Sequence, residues 1–489
     1  MNRSVPAVTC ANETVFSFSG FRDGHTHPLF AEREGVGPDI TDCDSVSAVV
    51  ARIGDFLATN PDCTWIDCGS YSPELHSGVQ AHYSQLDEAS AIIPIVVHAS
   101  DHHSIWVNSA ALAVAGLSQS APTISNAEVV LDEMGKPTGV LREWEAMNLI
   151  YVHQPAPSLE DDLLALDRAQ ARLIRAGVVA VQEAWIDPGM PEVYLAAAAA
   201  DRLLVRVNLA PRFSPQSWRE DLAFAKATRS KVRSANSDLL TCNTVKIFVD
   251  GVLSASTALL KAPYCSGGHG TAIWQAEELA EAALATDSAG FQLHFHAIGD
   301  GAVSEALDAI EYVSQKNGFV DRRPVIAHAE IIDPADFKRI REHGVFICQQ
   351  PLWATPDSIS PALTDALGPE RIAGLYPVRS LLDSGVKVSF GSDWPVSAPE
   401  PLPGIYAATQ RRLPRAVHEP LNTNQAISRG EAINCYSVNA AMQLGQETQL
   451  SQDEVVFDTD LANCSAEDLV NARVLSVRIA GRTVFPDQT

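Results

Sequence analysis

The chain contains no run of about 18 apolar residues, so no membrane-spanning helix is expected. The opening segment, MNRSVPAVTCANETVF, has no long apolar core of the kind a secretion signal carries. Basic residues are scarce: 35 Lys and Arg stand against 60 Asp and Glu, a formal net charge of −25. A surface of that sign repels phosphate backbones and anionic lipid, so neither nucleic acid nor a membrane is an expected partner. Cysteine is thin and scattered. The nine are odd in number and include no CxxC pair, which argues against a disulfide framework and a thiolate zinc site. A reducing cytoplasm is the compartment that fits, and Cys242 and Cys348, inside strand-like runs, read as small core residues. Internal repeats and low-complexity tracts are also missing.

What the chain does have is rhythm. Short β-branched runs alternate with longer Ala- and Leu-rich stretches: VVAVQEA (178–184), VRVNLA (205–210), TVKIFVD (244–250), FQLHFH (291–296), PVIAHA (324–329), VFICQQ (345–350) and VKVSFGSD (386–393). Several of the intervening stretches end in Gly, as a helix C-terminus does. Alternation of this kind predicts a parallel sheet. With FSGFRD near residue 20 the runs make eight strands, and 489 residues suffice for a barrel with insertions. The fold class expected is α/β, a (β/α)8 TIM barrel over 21–444. Residues 60–145 break the rhythm and read as an insertion after the first strand. A helix is expected over 158–176, with Ser158 at its start followed by Glu160, Asp161 and Asp162. ARVLSVRIAGRTVF (472–485) reads as a strand pair around a turn, in a small β-subdomain built from 1–20 and 445–489.

In a barrel, functional groups collect at the C-terminal ends of the strands. Here those ends carry metal-ligand residue types repeatedly. The first run closes on His25-Thr26-His27, the fourth holds Lys246, the fifth closes on His296, the sixth on His328 and the eighth on Asp393. Two His at i and i+2 of a strand point the same way and can reach one ion. Imidazole and carboxylate suit zinc and similar cations. A single His at a strand end is usually structural; several ligand types at separate strand ends are what a metal centre requires. Taken one at a time, Lys246 also reads as a snorkelling lysine and Asp393 as a turn or cap residue before Pro395.

The same residues carry a resemblance. FRDGHTHP, DHHSIWVNSAAL, GKPTGVLREWEA, VKIFVDG, HFHAIGDGAV, AHAEIID, GPERIAGLYPVRSLLDSGVKVSFGSDWPV and YSVNAA, in that order, resemble amidohydrolase family 3 of the amidohydrolase superfamily, the YtcJ-like group that includes N-substituted formamide deformylases. The resemblance runs from about residue 20 to 485. It implies one or two divalent metal ions per chain, zinc by default, with manganese, iron or cobalt open. It implies His25 and His27 as first-strand ligands, Lys246 as an N6-carboxylated lysine bridging two metals, and His296 and His328 as further ligands. Asp393 is then both ligand and the group that activates water. His103, Trp106 and Asn108 match a segment that lines the family's pocket, and Glu183 and Gln350, after the second and seventh strands, are candidates to orient substrate. The chain departs from the pattern in two places. Only 24 residues precede His25 and QLGQETQLSQDEVVFDTD is altered, so the small β-subdomain is expected to be abridged. Ser256 stands near a place where relatives often carry Arg, which suggests a less anionic substrate.

The activity this implies is hydrolysis of a non-peptide C–N bond (amide, formamide or cyclic amide) in a small molecule by metal-activated water. Another metal-dependent reaction on the same barrel, such as ester or lactone hydrolysis or decarboxylation, is the nearest alternative. A catalytically silent binding protein is the more distant one. The partner expected is a small-molecule substrate, with a homodimer left open.

Overall fold

The structure is a computed structural model, and it describes residues 7–10, 13–72, 75, 81–100, 102–124 and 127–486. The chain divides into two compact units: residues 1–28 with 166–489, and residues 29–165.

The first unit is built on eight strands hydrogen-bonded in sequence order: Phe21–Thr26, Val178–Ile186, Arg206–Phe213, Thr244–Phe248, Gln292–Ala297, Val325–His328, Phe346–Gln349 and Lys387–Phe390. Every pairing between neighbours is parallel. The strands lie within a few residues of the runs read from the sequence. They are legible because a parallel strand is buried on both faces and reads as a near-continuous apolar run; all nine residues of Val178–Ile186 are buried, Gln182 and Glu183 among them. Helices occupy the intervals. Leu159–Arg175 starts with Glu160, Asp161 and Asp162 in its first turn and ends with Arg172 and Arg175 in its last, charges that complement the helix dipole at both ends. The first strand begins at Phe21, later than the run FSGFRD suggests, because ETVF and the following Ser-Phe pair elsewhere.

They pair in a second sheet of five strands, ordered Ala7–Cys10, Glu13–Phe18, Glu454–Phe457, Val474–Ile479 and Arg482–Phe485, all antiparallel. One buried carboxylate ties it to the barrel. Asp453 bonds Nη2 of Arg22, on the first barrel strand, and Nη2 of Arg206, on the third, each at 2.9 Å, and accepts the amide of Ala480 at 3.0 Å. All three charged side chains are essentially sealed from water.

The barrel closes where the eighth strand meets the first. The amide of Asp393 donates to the carbonyl of His25 at 2.8 Å. Gly391 makes the approach feasible, since a Cβ there would stand 2.7 Å from the His25 amide nitrogen.

The second unit contains its own five-stranded sheet, ordered Ile66–Tyr71, Ile95–Ala99, Ser104–Val107, Pro137–Arg142 and Glu128–Leu131, parallel in its first pair and antiparallel after. Its core gathers Ile66, Ile95, Val97 and Trp106 on one side and Val96, Ile105, Leu141 and Met147 on another. No described helix is long and apolar enough to cross a membrane.

Removing the shared carboxylate leaves two guanidinium groups buried without a counter-charge. Asp453→Ala is therefore expected to destabilise the first unit by about 3–5 kcal/mol, the usual consequence of breaking a buried ion pair from one side. Urea unfolding followed by tryptophan fluorescence measures it, and a change within error would refute the role given to Asp453.

Candidate metal centre

Four strand ends deliver a cluster of imidazoles around one carboxylate. Oδ1 of Asp393 lies 3.1 Å from Nε2 of His25 and 3.0 Å from Nε2 of His27. One donor atom each from His25, His328 and Asp393 lie within 4.8 Å of one another. Nζ of Lys246 is 3.3 Å from Nε2 of His25. The His328 ring is 4.7 Å from that of His25 and 4.6 Å from that of His296. The six residues read from the sequence thus converge on one place. Strand register explains why: Lys246 faces His294, and Phe248 faces His296, across the fourth and fifth strands.

Backbone strain marks the same spot. His328, Ala329 and Asp393 have φ of 73°, 44° and 54°, a left-handed region that residues with side chains adopt at a cost.

The groups around the cluster fix how each ring presents itself. Nδ1 of His328 lies 2.9 Å from Oε1 of Gln350, so His328 donates there and turns Nε2 inward. Its ring also stacks on Trp353 at 5.3 Å and 6°. Nε2 of His296 lies 3.1 Å from the carbonyl of Gly251, which makes Nδ1 the nitrogen with the lone pair. Nδ1 of His25 lies 2.8 Å from Nε2 of His294, which leaves Nε2 facing Asp393. Each ring has one nitrogen engaged by a protein group, which leaves the other for a cation. That is the arrangement ligating histidines need. With a carboxylate and a lysine beside them, the donor set fits a borderline divalent cation.

Electrostatics divides the buried groups. Burial alone would raise the pKa of Asp393, but the adjacent His25 and His27 outweigh it and hold the group well below the usual carboxylate range. Asp23 has no such partner. Burial lifts it to about 7, although its Oδ1 accepts the amides of His25 and Ser392 at 3.1 and 3.0 Å. Burial brings Lys246 down to about 7, against the pull of Asp393.

Glu183, on the second strand, lies 3.6 Å from Nδ1 of His27 through Oε1 and accepts the hydroxyl of Tyr194 at 2.5 Å through Oε2. Gln350 serves His328 as described. His103, Trp106 and Asn108 lie in the second unit. There Nδ1 of His103 pairs with Glu143 at 2.9 Å, and Trp106 is fully buried with its indole N–H on the carbonyl of His82. Asn108 caps the helix Ser109–Val114 and bonds the carbonyls of Ser90 and Ile93. Ser256 has a φ of 57°.

Two supporting residues escaped the sequence reading. His294 stands two residues before His296, so the fifth strand repeats the HxH spacing of the first, and that repetition was the available signal. Asp250 is fully buried and accepts the amides of Ile298, Gly299 and Leu259 at 3.0, 2.9 and 2.8 Å, tying together the loops that flank His296.

Known proteins resemble the chain over most of its length. Protein LONG AFTER FAR-RED 3 of Arabidopsis thaliana is 27% identical over 96% of this chain and 82% of its own. The N-substituted formamide deformylase of Arthrobacter pascens is 25% identical over 94% and 87%. In fold, the chain is similar to a metal-dependent hydrolase from Pyrococcus furiosus, with a TM-score of 0.65 and 24% identity, covering 88% of this chain and 84% of that one. The model of the amidohydrolase family matches residues 18–485, which leaves only the two ends outside it. With that match spanning the barrel and every strand end of the cluster, the chain belongs to the amidohydrolase family and is a metal-dependent hydrolase.

Proposed function

We propose that the protein hydrolyses a non-peptide C–N bond, an amide, formamide or cyclic amide, in a small molecule. The observation that carries the reading is the placement of Asp393: buried, ionised, and within 3.1 Å of two inward-facing imidazoles. The similarity to a formamide deformylase supports the bond type. His25, His27, His296, His328 and Asp393 would hold the cation, zinc being the ion their chemistry favours, one or two per chain. When bound, it supplies Lewis acidity, which lowers the pKa of water and polarises a carbonyl.

The remaining chemistry belongs to the chain. Asp393 is ionised in the resting protein, so its Oδ1 can take a proton from the attacking water and return it to the departing nitrogen. An amide nitrogen leaves poorly unless protonated, so a site built for C–N cleavage needs that return. Glu183, itself fixed by the Tyr194 hydroxyl, stands 3.6 Å from Nδ1 of His27, and Gln350 holds His328, so the pocket keeps its shape while the proton moves. Lys246 is deeply buried, and with its pKa near 7 a substantial fraction is neutral amine at physiological pH. A neutral amine adds to carbon dioxide and releases one proton, giving a carbamate whose single negative charge is shared by two oxygens. That product would give Lys246 a ligand's role in place of a cation's.

Asp393→Asn is expected to lower kcat by roughly 10²–10⁴-fold, the range that a lost general acid–base group covers, while most of the metal stays bound. Steady-state rates with elemental mass spectrometry test it, and near-full activity would sink the assignment. If Lys246 is carboxylated, activity regained by the metal-stripped protein on adding Zn2+ should depend on bicarbonate, and Lys246→Arg should lose that dependence together with activity. Equal recovery in carbon-dioxide-free buffer would remove the carbamate. A panel of amides, formamides, cyclic imides, lactones and phosphoesters tests the bond type; turnover confined to lactones or phosphoesters would overturn it.

A further inference from the structure

The second unit contains a second convergence of imidazole and carboxylate that the barrel chemistry does not use. Glu34 closes the helix Pro28–Glu34, His98 lies on the strand Ile95–Ala99, and His102 follows that strand in a turn. One donor atom from each lies within 4.8 Å of the others. Oε2 of Glu34 is 3.0 Å from Nε2 of His102, and Oε1 is 3.8 Å from Nδ1 of His98. We propose that Glu34, His98 and His102 form a second divalent-cation site, of the zinc class, with Asp67 as the group that orients His98.

The orientation of His98 is decided by its neighbours. Its Nε2 lies 2.5 Å from Oδ1 of Asp67, and the other oxygen of Asp67 accepts the Gln154 side-chain amide at 2.6 Å. With Nε2–H donated to a fixed carboxylate, His98 presents Nδ1 toward Glu34. A carboxylate behind a ligating histidine is a recurrent support of metal sites, since it sets the tautomer and raises the ring's basicity. A tetrahedral ion with bonds of about 2.0–2.2 Å spans donors roughly 3.4 Å apart. The two Glu34 distances straddle that value, and the widest pair has at most about 1.4 Å to close.

Charge points the same way. Glu34 and Asp67 set two carboxylates against the one ring of His98, and among the described residues neither has an ion pair with Lys or Arg. A divalent cation would balance the pair. The backbone leaves room for Glu34: residue 69 is glycine, and a Cβ there would stand 2.6 Å from Oε2. The side chains of Glu34 and His102 keep 14% and 11% of their exposure, enough for an ion to enter. Three protein ligands leave a fourth position open, as in zinc sites that bind water or a small ligand. The hydroxyl of Tyr151, 3.4 Å from Nδ1 of His98, stands beside the cluster.

The test uses the full chain with the barrel ligands removed, His25→Ala/Asp393→Ala, stripped with a chelator and equilibrated with buffered micromolar free Zn2+. Elemental mass spectrometry should find one equivalent per chain, and adding His98→Ala/His102→Ala should reduce it to none. In the otherwise native chain, His98→Ala/His102→Ala should lower the zinc content by one equivalent, and Glu34→Gln should weaken retention during dialysis. Those last two variants serve if the barrel variant does not fold. Co2+ bound to the barrel variant should give visible absorption bands that His102→Ala abolishes. An empty barrel variant, or identical zinc content in the native chain with and without His98 and His102, would overturn the proposal. Loss of part of the zinc on changing His25 and Asp393, with one equivalent retained, would report on the barrel, so failure at one place is distinguishable from failure at the other.

Discussion

Around a pair of backbone hydrogen bonds, from the amide of Asp393 to the carbonyl of His25 and from the amide of His27 to the carbonyl of Trp394, the barrel closes and the cluster forms together. The first and eighth strands are the two that sequence order does not bring side by side; only closure does. Because Gly391 has no side chain, the two backbones approach closely enough for the Asp393 carboxylate to reach both His25 and His27. Those two backbone bonds bridge the two ends of the sheet, and the same geometry that satisfies the backbone sets the donor atoms at distances useful to a cation. Fold stability and site assembly are here one requirement.

Three buried groups show how the site sorts charge. Asp23, Lys246 and Asp393 are all buried. Burial pushes each toward neutrality, and for Asp23 and Lys246 it prevails. For Asp393 two imidazoles at hydrogen-bond distance reverse it. Equal burial with unequal neighbours therefore yields one carboxylate that stays charged, another that sits near neutrality, and an amine that can lose its proton. This separation of pKa values by local surroundings is how one pocket runs acid and base chemistry near pH 7.

Much of this was legible in the sequence, for a physical reason. Parallel strands buried on both faces write themselves as short apolar runs, so the strands from Val178 onward could be read almost in place. Ligand-type residues at strand ends follow from barrel geometry, so His25, His27, Lys246, His296, His328 and Asp393 could be named before any coordinates. What could not be read depends on three-dimensional partners. His294 repeats the HxH spacing of the first strand, but its role shows only when its Nε2 is seen against His25. Trp106 and Asn108 carry a family motif, yet each is engaged in the local packing of its own unit, one in the core and one as a helix cap. The Glu34, His98, His102 and Asp67 cluster draws on separate segments, and no local spacing announces it.

The shared carboxylate at Asp453 has a consequence in time. Arg22 belongs to the first barrel strand, and its counter-charge lies 431 residues further along the chain. At roughly 5–20 residues per second on a ribosome, that interval is on the order of tens of seconds. During it Arg22 and Arg206 have no native partner to neutralise them inside an apolar wall, so early burial of either strand is penalised. Burial of the barrel's opening strand free of that penalty waits until nearly all of the protein has been translated, and a nascent chain interrupted between residues 206 and 453 would carry two cationic defects where the finished protein has a lock.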